Sequence, residues 1–338
     1  MDSGLFEYSL PKEMIAQYPA RERSSSRLLA FDRGTGKIEH RFFRDIASYF
    51  HKGDVLVLND SRVFPAKLRA TKETGGAVNI LLVERIGQGR WRCLATGAKK
   101  EVPEMKVSIG GTQAHLRREE EFWVIQFPDE IPEDEIIRDH GHMPLPPYIK
   151  RAKKDGIDFE RYQTVYAETE GSIAAPTAGF HFTRELLEDL ERVGVDVVRI
   201  TLHIGIGTFF LINKALVEDH RMHREYYHIA PDVKARIQSA KDEGRRIVAC
   251  GTSAVRTLET ACSQNGSTPL DGYTELFIYP GYRFKMVDAM ITNFHLPRST
   301  PLLLVSAFAG RDELLKCYGE AIERGYSFYS YGDAMLVQ

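Results

Sequence analysis

Three residues, Gly251, Thr252 and Ser253, stand between a buried apolar run and a predicted helix. A helix that begins there exposes unpaired backbone N–H groups and the positive end of its dipole, so a phosphate or a carboxylate could bind. Threonine and serine are also the usual helix caps, and an ordinary cap is the alternative. The sequence leaves both interpretations open at this position.

Two histidines stand three residues apart in the segment 219–225. His220 and His223 could share one face of a helix and bind a metal ion together with a carboxylate such as Glu225. The two arginines of the same segment would oppose a cation, and clusters of Arg and His more often meet phosphate. We therefore expect no metal here and favour a polar loop that faces RNA.

Three further segments have compositions suited to ligands. Residues 171–182 are mostly small, which lets a ligand lie against the backbone, with a tight structural loop as the alternative. Residues 203–209 contain G-x-G but lack the third glycine and the helix of a dinucleotide loop, so a bend or a close ligand approach is favoured. Residues 279–285 alternate aromatic and cationic side chains, which suits RNA bases and phosphates, with a solvated turn as the alternative.

The composition is that of an ordinary globular protein of about two domains. The chain has 338 residues, of which 43% are hydrophobic and 27% charged, and its net charge is −2. A nucleic-acid partner would therefore need a local basic patch. With no apolar stretch of about 18 residues and no signal-peptide pattern, we expect no membrane span and a cytoplasmic location. The dispersed cysteines predict reduced core thiols at Cys93, Cys250, Cys262 and Cys317.

The pattern of apolar residues changes twice along the chain. The run 54–58 predicts a buried strand that ends in polar residues. Between residues 66 and 127, short β-like runs separated by glycine-rich turns predict a small all-β barrel or sandwich. Residues 129–154 predict a stiff, charged connector. Alternating elements follow. Helices are predicted at 183–193, 231–243, 300–309 and 312–324, a further helix is predicted to begin at residues 251–253, and strands are predicted at 195–202 and 247–250.

The predicted fold class is α/β, with a mixed α/β main domain and a second, smaller all-β barrel domain inserted near the N-terminus. We expect the α/β catalytic domain to comprise residues 1–65 and 150–338, and the β-barrel domain residues 66–149.

Nine segments form an ordered set that spans nearly the whole chain, and several are eight or more residues long. They are residues 58–66, 144–149, 171–182, 203–209, 220–226, 251–259, 279–285, 291–300 and 329–336. Together they closely resemble the S-adenosylmethionine:tRNA ribosyltransferase-isomerases of queuosine biosynthesis. At Ser253-Ala254 and at Pro301 this sequence differs mildly from the pattern of that family.

The resemblance implies an α/β domain with a β-barrel domain and a transfer of the ribosyl moiety of S-adenosylmethionine. The acceptor would be the 7-aminomethyl-7-deazaguanine base at the wobble position in the anticodon loop of tRNA. The sugar would rearrange to give epoxyqueuosine, with release of adenine and methionine. S-Adenosylmethionine would be consumed as a co-substrate, without a metal or a prosthetic group. A monomer is the expected state.

In that reaction the sulfonium acidifies the adjacent C5′ hydrogens, so a base could form an ylide and let adenine depart. His181 and His203 are the leading candidates, because each stands in a glycine-containing segment of the resemblance. Asp60 is the alternative base or the group that orients one. Donors that could stabilise the departing charge are Arg62, Asn293 and His295.

The resemblance also yields two sets of binding candidates. Candidates for substrate binding are Thr177, Gly179, Phe180, Phe182, Gly205, Gly207, Thr208, Thr252, Ser253, Asn293 and His295, and Phe209 could stack as Phe180 and Phe182 could. Candidates for tRNA binding are Lys150, Arg151, His223, Glu225, Tyr279, Arg283 and Lys285, with Lys153 and Lys154 in the same basic run.

Two other functions remain as alternatives. An S-adenosylmethionine-dependent RNA methyltransferase should show a strand, a G-x-G-x-G turn and a helix near the start of its domain, and the sequence has no such pattern. A non-catalytic RNA-binding protein built on the β segment would release no adenine.

Overall fold

The structure is a computed structural model that describes residues 1–98, 102–151, 156–209, 211–261 and 269–338. Of the residues named above, Lys153, Lys154 and Cys262 lie outside the described residues, as do the side chains of Thr208 and Phe209.

The chain folds into two compact units, and the smaller one is inserted into the larger one. The larger unit comprises Met1–Arg62 and Pro146–Gln338, and the smaller unit comprises Val63–Leu145. The boundaries therefore fall at 62/63 and 145/146, where the sequence predicted 65/66 and 149/150. The larger unit mixes helices with a sheet, and the smaller contains a closed barrel. The predicted fold class is confirmed.

The secondary structure of the described residues is as follows. The strands are β1 (Arg27–Phe31), β2 (Ile38–Phe42), β3 (Val55–Asn59), β4 (Ser61–Val63), β5 (Lys67–Lys72), β6 (Ala77–Gly87), β7 (Arg90–Thr96), β8 (Glu104–Ile109), β9 (Thr112–Glu119), β10 (Phe122–Gln126), β11 (Thr169–Ser172), β12 (Asp196–Leu202), β13 (Glu225–His228), β14 (Ile247–Cys250), β15 (Asp271–Thr274), β16 (Ala289–Asn293) and β17 (Ala334–Val337). The α-helices are α1 (Glu133–His140), α2 (Ile157–Arg161), α3 (Arg184–Arg192), α4 (Pro231–Asp242), α5 (Thr252–Ala261), α6 (Thr300–Ala309) and α7 (Arg311–Glu323).

A nine-stranded sheet forms the centre of the larger unit, in the order β15-β13-β12-β3-β14-β16-β17-β1-β2. Strands β12, β3, β14 and β16 run parallel to one another. Every residue of β3 is buried: Val57 belongs to the apolar core on one face of the sheet, and Leu56 and Leu58 belong to the core on the other. Burial on both faces explains why this strand reads as a continuous apolar run.

The helices that cover the sheet follow the predicted patterns. In α3, the Thr183 hydroxyl caps the first turn by accepting from the Leu186 N–H at 3.2 Å, and the leucines of the helix face the core. Pro231 occupies the first turn of α4, and α6 begins at Thr300 and ends before Gly310. None of the described helices is long and apolar enough to cross a membrane.

The expected connector at 129–154 is partly wrong, because residues 133–140 form helix α1. Its first turn is acidic, which suits the positive end of the helix dipole, and Ile136 and Ile137 are buried. The eight residues of α1 contain only two apolar side chains, Ile136 and Ile137, which are too few for the sequence to distinguish such a helix from a charged linker.

The barrel of the smaller unit closes in the order β10-β7-β6-β5-β8-β9, with antiparallel neighbours. Closure pairs every strand on both sides and so leaves no open edge. The sequence did not predict β5 and β9, because charged residues occupy their outward positions. Cys93 is buried in this barrel, and the larger unit buries Cys250 and Cys317; all three are free thiols, as predicted.

We predict that Leu58→Ala destabilises the larger unit by about 2–5 kcal/mol, because Leu58 is fully buried beside the end of β3 and its truncation leaves a cavity. Urea unfolding followed by far-ultraviolet circular dichroism measures the change. Leu5→Ala is the control: Leu5 is 46% exposed, and its truncation should change the free energy of unfolding by less than about 0.5 kcal/mol. Equal losses in the two variants would contradict the assignment of β3 to the centre of the sheet.

Candidate active site

A cleft lies at the carboxyl ends of the parallel strands. Strands β12, β14 and β16 end at Leu202, Cys250 and Asn293, and residues at or just beyond each of these ends line it. Its empty volume is about 1070 Å³, part of which is open to solvent. Ligands of open α/β sheets bind at this edge, outside the carboxyl ends of the strands. The cleft is therefore the first candidate for the substrate site.

Two helices begin at the cleft. Thr252 and Ser253 of α5 line it, and so do Thr300 and Pro301 of α6. The Ser299 hydroxyl caps α6 through the Leu302 N–H at 3.3 Å. Both helices turn their positive ends toward the cleft, which favours polar or anionic parts of a ligand.

Asn59, the last residue of β3, ties the strand ends to α5. Its Nδ2 donates to the Leu202 carbonyl at 3.0 Å and to the Ser253 Oγ at 3.1 Å. Its Oδ1 accepts from the backbone N–H groups of Leu202 at 3.0 Å and Ser61 at 3.1 Å. Because the side chain is fully buried and all four contacts are made, Asn59 fixes the position of two cleft residues, Leu202 and Ser253.

An ion pair lies in the wall of the cleft. Glu225 and Arg256 are both buried, and an Nη of Arg256 donates to the Glu225 carboxylate. The other carboxylate oxygen accepts from the Gly205 N–H at 2.8 Å, and the Arg256 Nε donates to the Leu276 carbonyl at 2.9 Å. Removing either charge would leave its partner buried and uncompensated. Glu225, predicted to bind tRNA, is thus part of the cleft, and Arg256 is a cleft residue that the sequence analysis missed.

His295 contributes a neutral imidazole to the cleft. Burial lowers the pKa of His295 to about 3. Its Nε2 lies 3.3 Å from the Thr292 Oγ1, and its backbone N–H donates to the Tyr318 Oη at 3.0 Å. At neutral pH this ring can donate or accept a hydrogen bond but carries no charge.

His181 holds Asn293 from behind the cleft. The Ser26 hydroxyl donates to the Arg23 carbonyl at 3.3 Å, so the His181 Nδ1–H donates to the Ser26 Oγ at 2.7 Å. The Asn293 Nδ2 lies 3.3 Å from the His181 Nε2, and the Asn293 Oδ1 accepts from the Thr177 hydroxyl at 2.8 Å. Burial lowers the pKa of His181 to about 3. Asn293 and Thr177 line the cleft, whereas both nitrogens of His181 are engaged within the protein.

His203 follows the end of β12 and lies on the side of the chain opposite the cleft. Leu202 and Ile204 face the cleft, and the alternation of an extended chain turns His203 away from it. The Ser61 hydroxyl donates to the Ser172 Oγ at 2.7 Å, so the His203 Nδ1–H donates to the Ser61 Oγ at 3.0 Å and the Nε2 keeps its lone pair. Burial lowers the pKa of His203.

Two neighbours shape the surroundings of His203. Its ring stacks on Tyr226 with centroids 5.7 Å apart. A Cβ at Gly171, where φ is +153°, would lie 2.5 Å from the imidazole Nε2, so only glycine allows this approach. Asp60 precedes Ser61, accepts from the Thr201 hydroxyl at 2.7 Å, and has a pKa raised by burial.

The base candidates His181, His203 and Asp60 and the donor candidate Asn293 therefore fall into two places. Asn293 lines the cleft with His181 behind it, while His203 contacts Ser61 and Asp60 contacts Thr201, both outside the cleft lining. Arg62, the remaining catalytic candidate, is exposed.

The substrate-binding candidates divide in a similar way. Five line the cleft: Thr177, Thr252, Ser253, Asn293 and His295. Two glycines make close structural contacts: a Cβ at Gly179 would lie 2.0 Å from the Tyr166 Oη, and the Gly205 N–H donates to Glu225. Phe182 packs edge-on against Phe43 in the core, and Phe180 packs against Tyr162. Gly207 is buried and lies outside the cleft lining, and the side chain of Thr208 is not described.

The tRNA-binding candidates are partly exposed. The side chains of Lys150, His223, Arg283 and Lys285 are exposed. Arg151 instead forms two hydrogen bonds of 2.8 Å with the buried Asp158. The half-buried Tyr279 packs against Phe277 at 5.2 Å.

The segment 279–285 is held in place by Glu259 of α5. The carboxylate is buried and accepts hydrogen bonds of 2.9–3.2 Å from the Tyr282 hydroxyl and from the backbone N–H groups of Lys285, Met286 and Val287. Arg283 and Lys285 are thus presented on an anchored loop. Within the described residues, no group of three or more His, Cys, Asp or Glu side chains could hold a metal ion.

Comparison with known proteins decides the family. The profile of a family described as "Queuosine biosynthesis protein" matches residues 4–337. This chain belongs to that family. A relative from Thermotoga petrophila, named S-adenosylmethionine:tRNA ribosyltransferase-isomerase, is 47% identical over 335 residues that cover 98% of each chain. A relative of the same name from Pelobacter propionicus is 48% identical over 339 residues, again with 98% coverage of each.

A solved structure of the family agrees with the fold. The crystal structure of an S-adenosylmethionine tRNA ribosyltransferase from Thermotoga maritima is 37% identical to this chain and covers 99% of it and 100% of its own length, with a TM-score of 0.58. The resemblance drawn from the nine sequence segments is confirmed. Besides Arg256, the sequence analysis missed Tyr148, Tyr329 and Ser330 as cleft residues, although Tyr148 lies in the matching segment 144–149 and the other two lie in 329–336.

We predict that stability falls as the pH drops from about 6.5 toward 3. The folded-state pKa of His181 is about 3, whereas an unfolded histidine titrates near 6.5, so the unfolded chain binds the extra proton in this window. His181→Gln should flatten the dependence of the unfolding free energy on pH by up to about 1.4 kcal/mol per pH unit. The exposed His115→Gln is the control and should keep the wild-type slope. A wild-type slope in His181→Gln, or a His181 imidazole that NMR shows protonated at pH 5, would contradict the buried, neutral assignment.

Proposed function

We propose that this chain transfers and isomerises the ribosyl moiety of S-adenosylmethionine onto the 7-aminomethyl-7-deazaguanine base at the wobble position of tRNA. The products are epoxyqueuosine in the tRNA, free adenine and methionine. The match of residues 4–337 to a single family carries this proposal. The cleft at the carboxyl edge of the sheet supports it by offering a site for a nucleoside. S-Adenosylmethionine is a co-substrate, and the reaction needs no prosthetic group.

S-Adenosylmethionine is proposed to bind in the cleft. Thr177, Asn293 and His295 offer neutral polar groups there, and the first turns of α5 and α6 offer N–H donors. Tyr148, Phe277 and Tyr329 offer aromatic faces for adenine or for the sulfonium, the latter worth about 0.5–2 kcal/mol. Donors near the departing adenine stabilise the charge that develops on it.

We propose His203 rather than His181 as the general base. Because His203 faces away from the cleft, this assignment requires the reacting carbon of the bound substrate to reach past the end of β12 to the His203 Nε2. A base must have a free lone pair, and both nitrogens of His181 are engaged with Ser26 and Asn293, whereas the His203 Nε2 keeps its lone pair. Burial favours the neutral form of His203, which is the form that accepts a proton. His181 is then a positioning residue for Asn293.

A base supplies roughly 10²- to 10⁴-fold in rate. The rest of the acceleration is expected from holding the two substrates in register. We propose that the anticodon loop binds through the exposed cations Lys150, Arg283 and Lys285, and that the exposed His223 lies beside it. As a tRNA-modifying enzyme the protein is expected to act in the cytoplasm as a monomer, a state that light scattering can test.

Incubation with S-adenosylmethionine and tRNA carrying the aminomethyl-deazaguanine base tests the function. Mass analysis should detect epoxyqueuosine in the tRNA and one free adenine for each base modified. A methylated nucleoside without adenine would support the methyltransferase alternative instead, and tRNA binding without any product would support the non-catalytic one.

We predict that His203→Ala lowers the rate of adenine release by about 10²- to 10⁴-fold, because it removes the base. His228→Ala is the control, since His228 is exposed on the neighbouring strand β13. His181→Ala should mainly raise the KM for S-adenosylmethionine and leave the pH profile of kcat unchanged. Near-normal turnover in His203→Ala would reject the assignment of the base.

We also predict that tRNA affinity falls steeply with salt. Arg283→Gln and Lys285→Gln should each reduce the slope of log K against log salt concentration by about 0.7, the value for a phosphate contact in a single strand. Lys316→Gln, an exposed change on α7, should leave the slope unchanged. Unaltered slopes in the loop variants would exclude this loop from the RNA interface.

A further inference from the structure

A second, smaller cavity of the larger unit is lined by two arginines. Arg23 lies in the 3₁₀ turn Arg23–Ser25, and Arg161 is the last residue of α2. Its other polar residues are Ser26, His181, Ser330 and Tyr331, and the Tyr331 hydroxyl donates to Asp158 at 2.9 Å. The two cations approach from separate segments of the chain, so the fold, rather than local sequence, brings them together.

The hydrogen bonds of both arginines end on neutral groups. Arg23 donates to the backbone carbonyls of Phe180 at 3.2 Å and Glu160 at 3.3 Å. Arg161 donates to those of Ala20 at 2.6 Å and Arg21 at 3.3 Å. Within the described residues, no carboxylate lies within the 4.0 Å of an ion pair with either guanidinium, whereas the nearby Arg151 has Asp158 at 2.8 Å.

Two observations indicate that the pair is incomplete as a purely structural contact. The Arg161 Nε is buried and has no hydrogen-bond partner among the described residues, which is costly for a charged donor. Burial, and then the charge of Arg161, lower the pKa of Arg23, while the charge of Glu160, which lies beyond ion-pair distance, acts in the opposite direction. Hydrogen bonds to backbone carbonyls explain why the turn Arg23–Ser25 packs against α2. They do not explain why two like charges line the same cavity.

We propose that Arg23 and Arg161 form a binding site for an oxyanion of a substrate, either a phosphate of the RNA or the carboxylate of S-adenosylmethionine. Guanidinium groups present planar pairs of N–H donors that match the oxygens of both groups. The naming of these two sources rests on the proposed function, whereas the existence of the anion site does not.

The position of the cavity links it to the cleft. Ser330 lines both, and His181 of the cavity lies 3.3 Å from Asn293 of the cleft. An oxyanion at Arg23 and Arg161 would therefore lie behind the His181–Asn293 pair. A substrate bound there would be anchored by one end while its reacting part occupies the cleft.

Inorganic phosphate tests the site without either substrate. Sodium phosphate, compared with sodium chloride at equal ionic strength, should raise the melting temperature of the wild-type protein. Arg23→Gln and Arg161→Gln should abolish the increase, and Arg184→Gln, an equal change of charge at an exposed residue of α3, should retain it. The lysine variants Arg23→Lys and Arg161→Lys keep the charge and should retain part of it, so a loss of folding in the glutamine variants does not end the test. No phosphate-dependent increase in the wild type, or the same increase in all variants, would overturn the proposal.

Separate affinities for the two substrates identify the source. Loss of tRNA affinity by about 10- to 100-fold in Arg23→Gln and Arg161→Gln, with unchanged affinity for S-adenosylmethionine, would assign the site to an RNA phosphate. The opposite result would assign it to the carboxylate. Unchanged affinity for both would overturn the proposal while leaving the proposed function intact. A failure of the function itself would appear as an absence of adenine in the wild-type assay, whatever phosphate does.

Discussion

The buried side chain of Asn59 is the contact on which the candidate site depends. The chain must bring the ends of β3 and β12 and the start of α5 to one point, and the carboxamide does so with two donated and two accepted hydrogen bonds. An amide is suited to this task because it offers donors and an acceptor without a charge that would have to be desolvated. The cleft residues Leu202 and Ser253 are thereby held in place before any ligand binds, so ligand binding does not have to order them.

Burial sets the protonation state of the histidines near the ends of these strands. His181 and His295 both have pKa values of about 3, so neither carries charge at neutral pH, and their rings serve as hydrogen-bonding groups of fixed orientation. His203 is less buried and has one uncommitted nitrogen, which separates its chemistry from that of His181. The charged pair Glu225–Arg256 is neutral as a unit. A cationic sulfonium would thus meet a cleft wall without an excess of positive charge.

Much of the fold could be predicted from the sequence, because Thr183, Pro231 and the glycine stops act locally and the apolar periods of α3 and α4 are regular. The site was only partly predictable. A strand covered on both faces is apolar on both, so the sequence cannot tell on which side of β12 His203 lies. Arg256 and Glu225 are 31 residues apart and meet only because α5 packs against β12 and β15, the strands on either side of β13. Such long-range pairings leave no trace in spacing or composition.

The order of strands in the large sheet bears on how the protein is made. The hairpin β1–β2 contacts the rest of the sheet through β17, the strand formed by residues 334–337, which separates β1 from β16. During synthesis the edge of β1 that pairs with β17 must therefore stay open until residues 334–337 have left the ribosome. Removal of residues 334–337 would detach the hairpin from the sheet, and late closure of this kind exposes a nascent chain to aggregation and to chaperones.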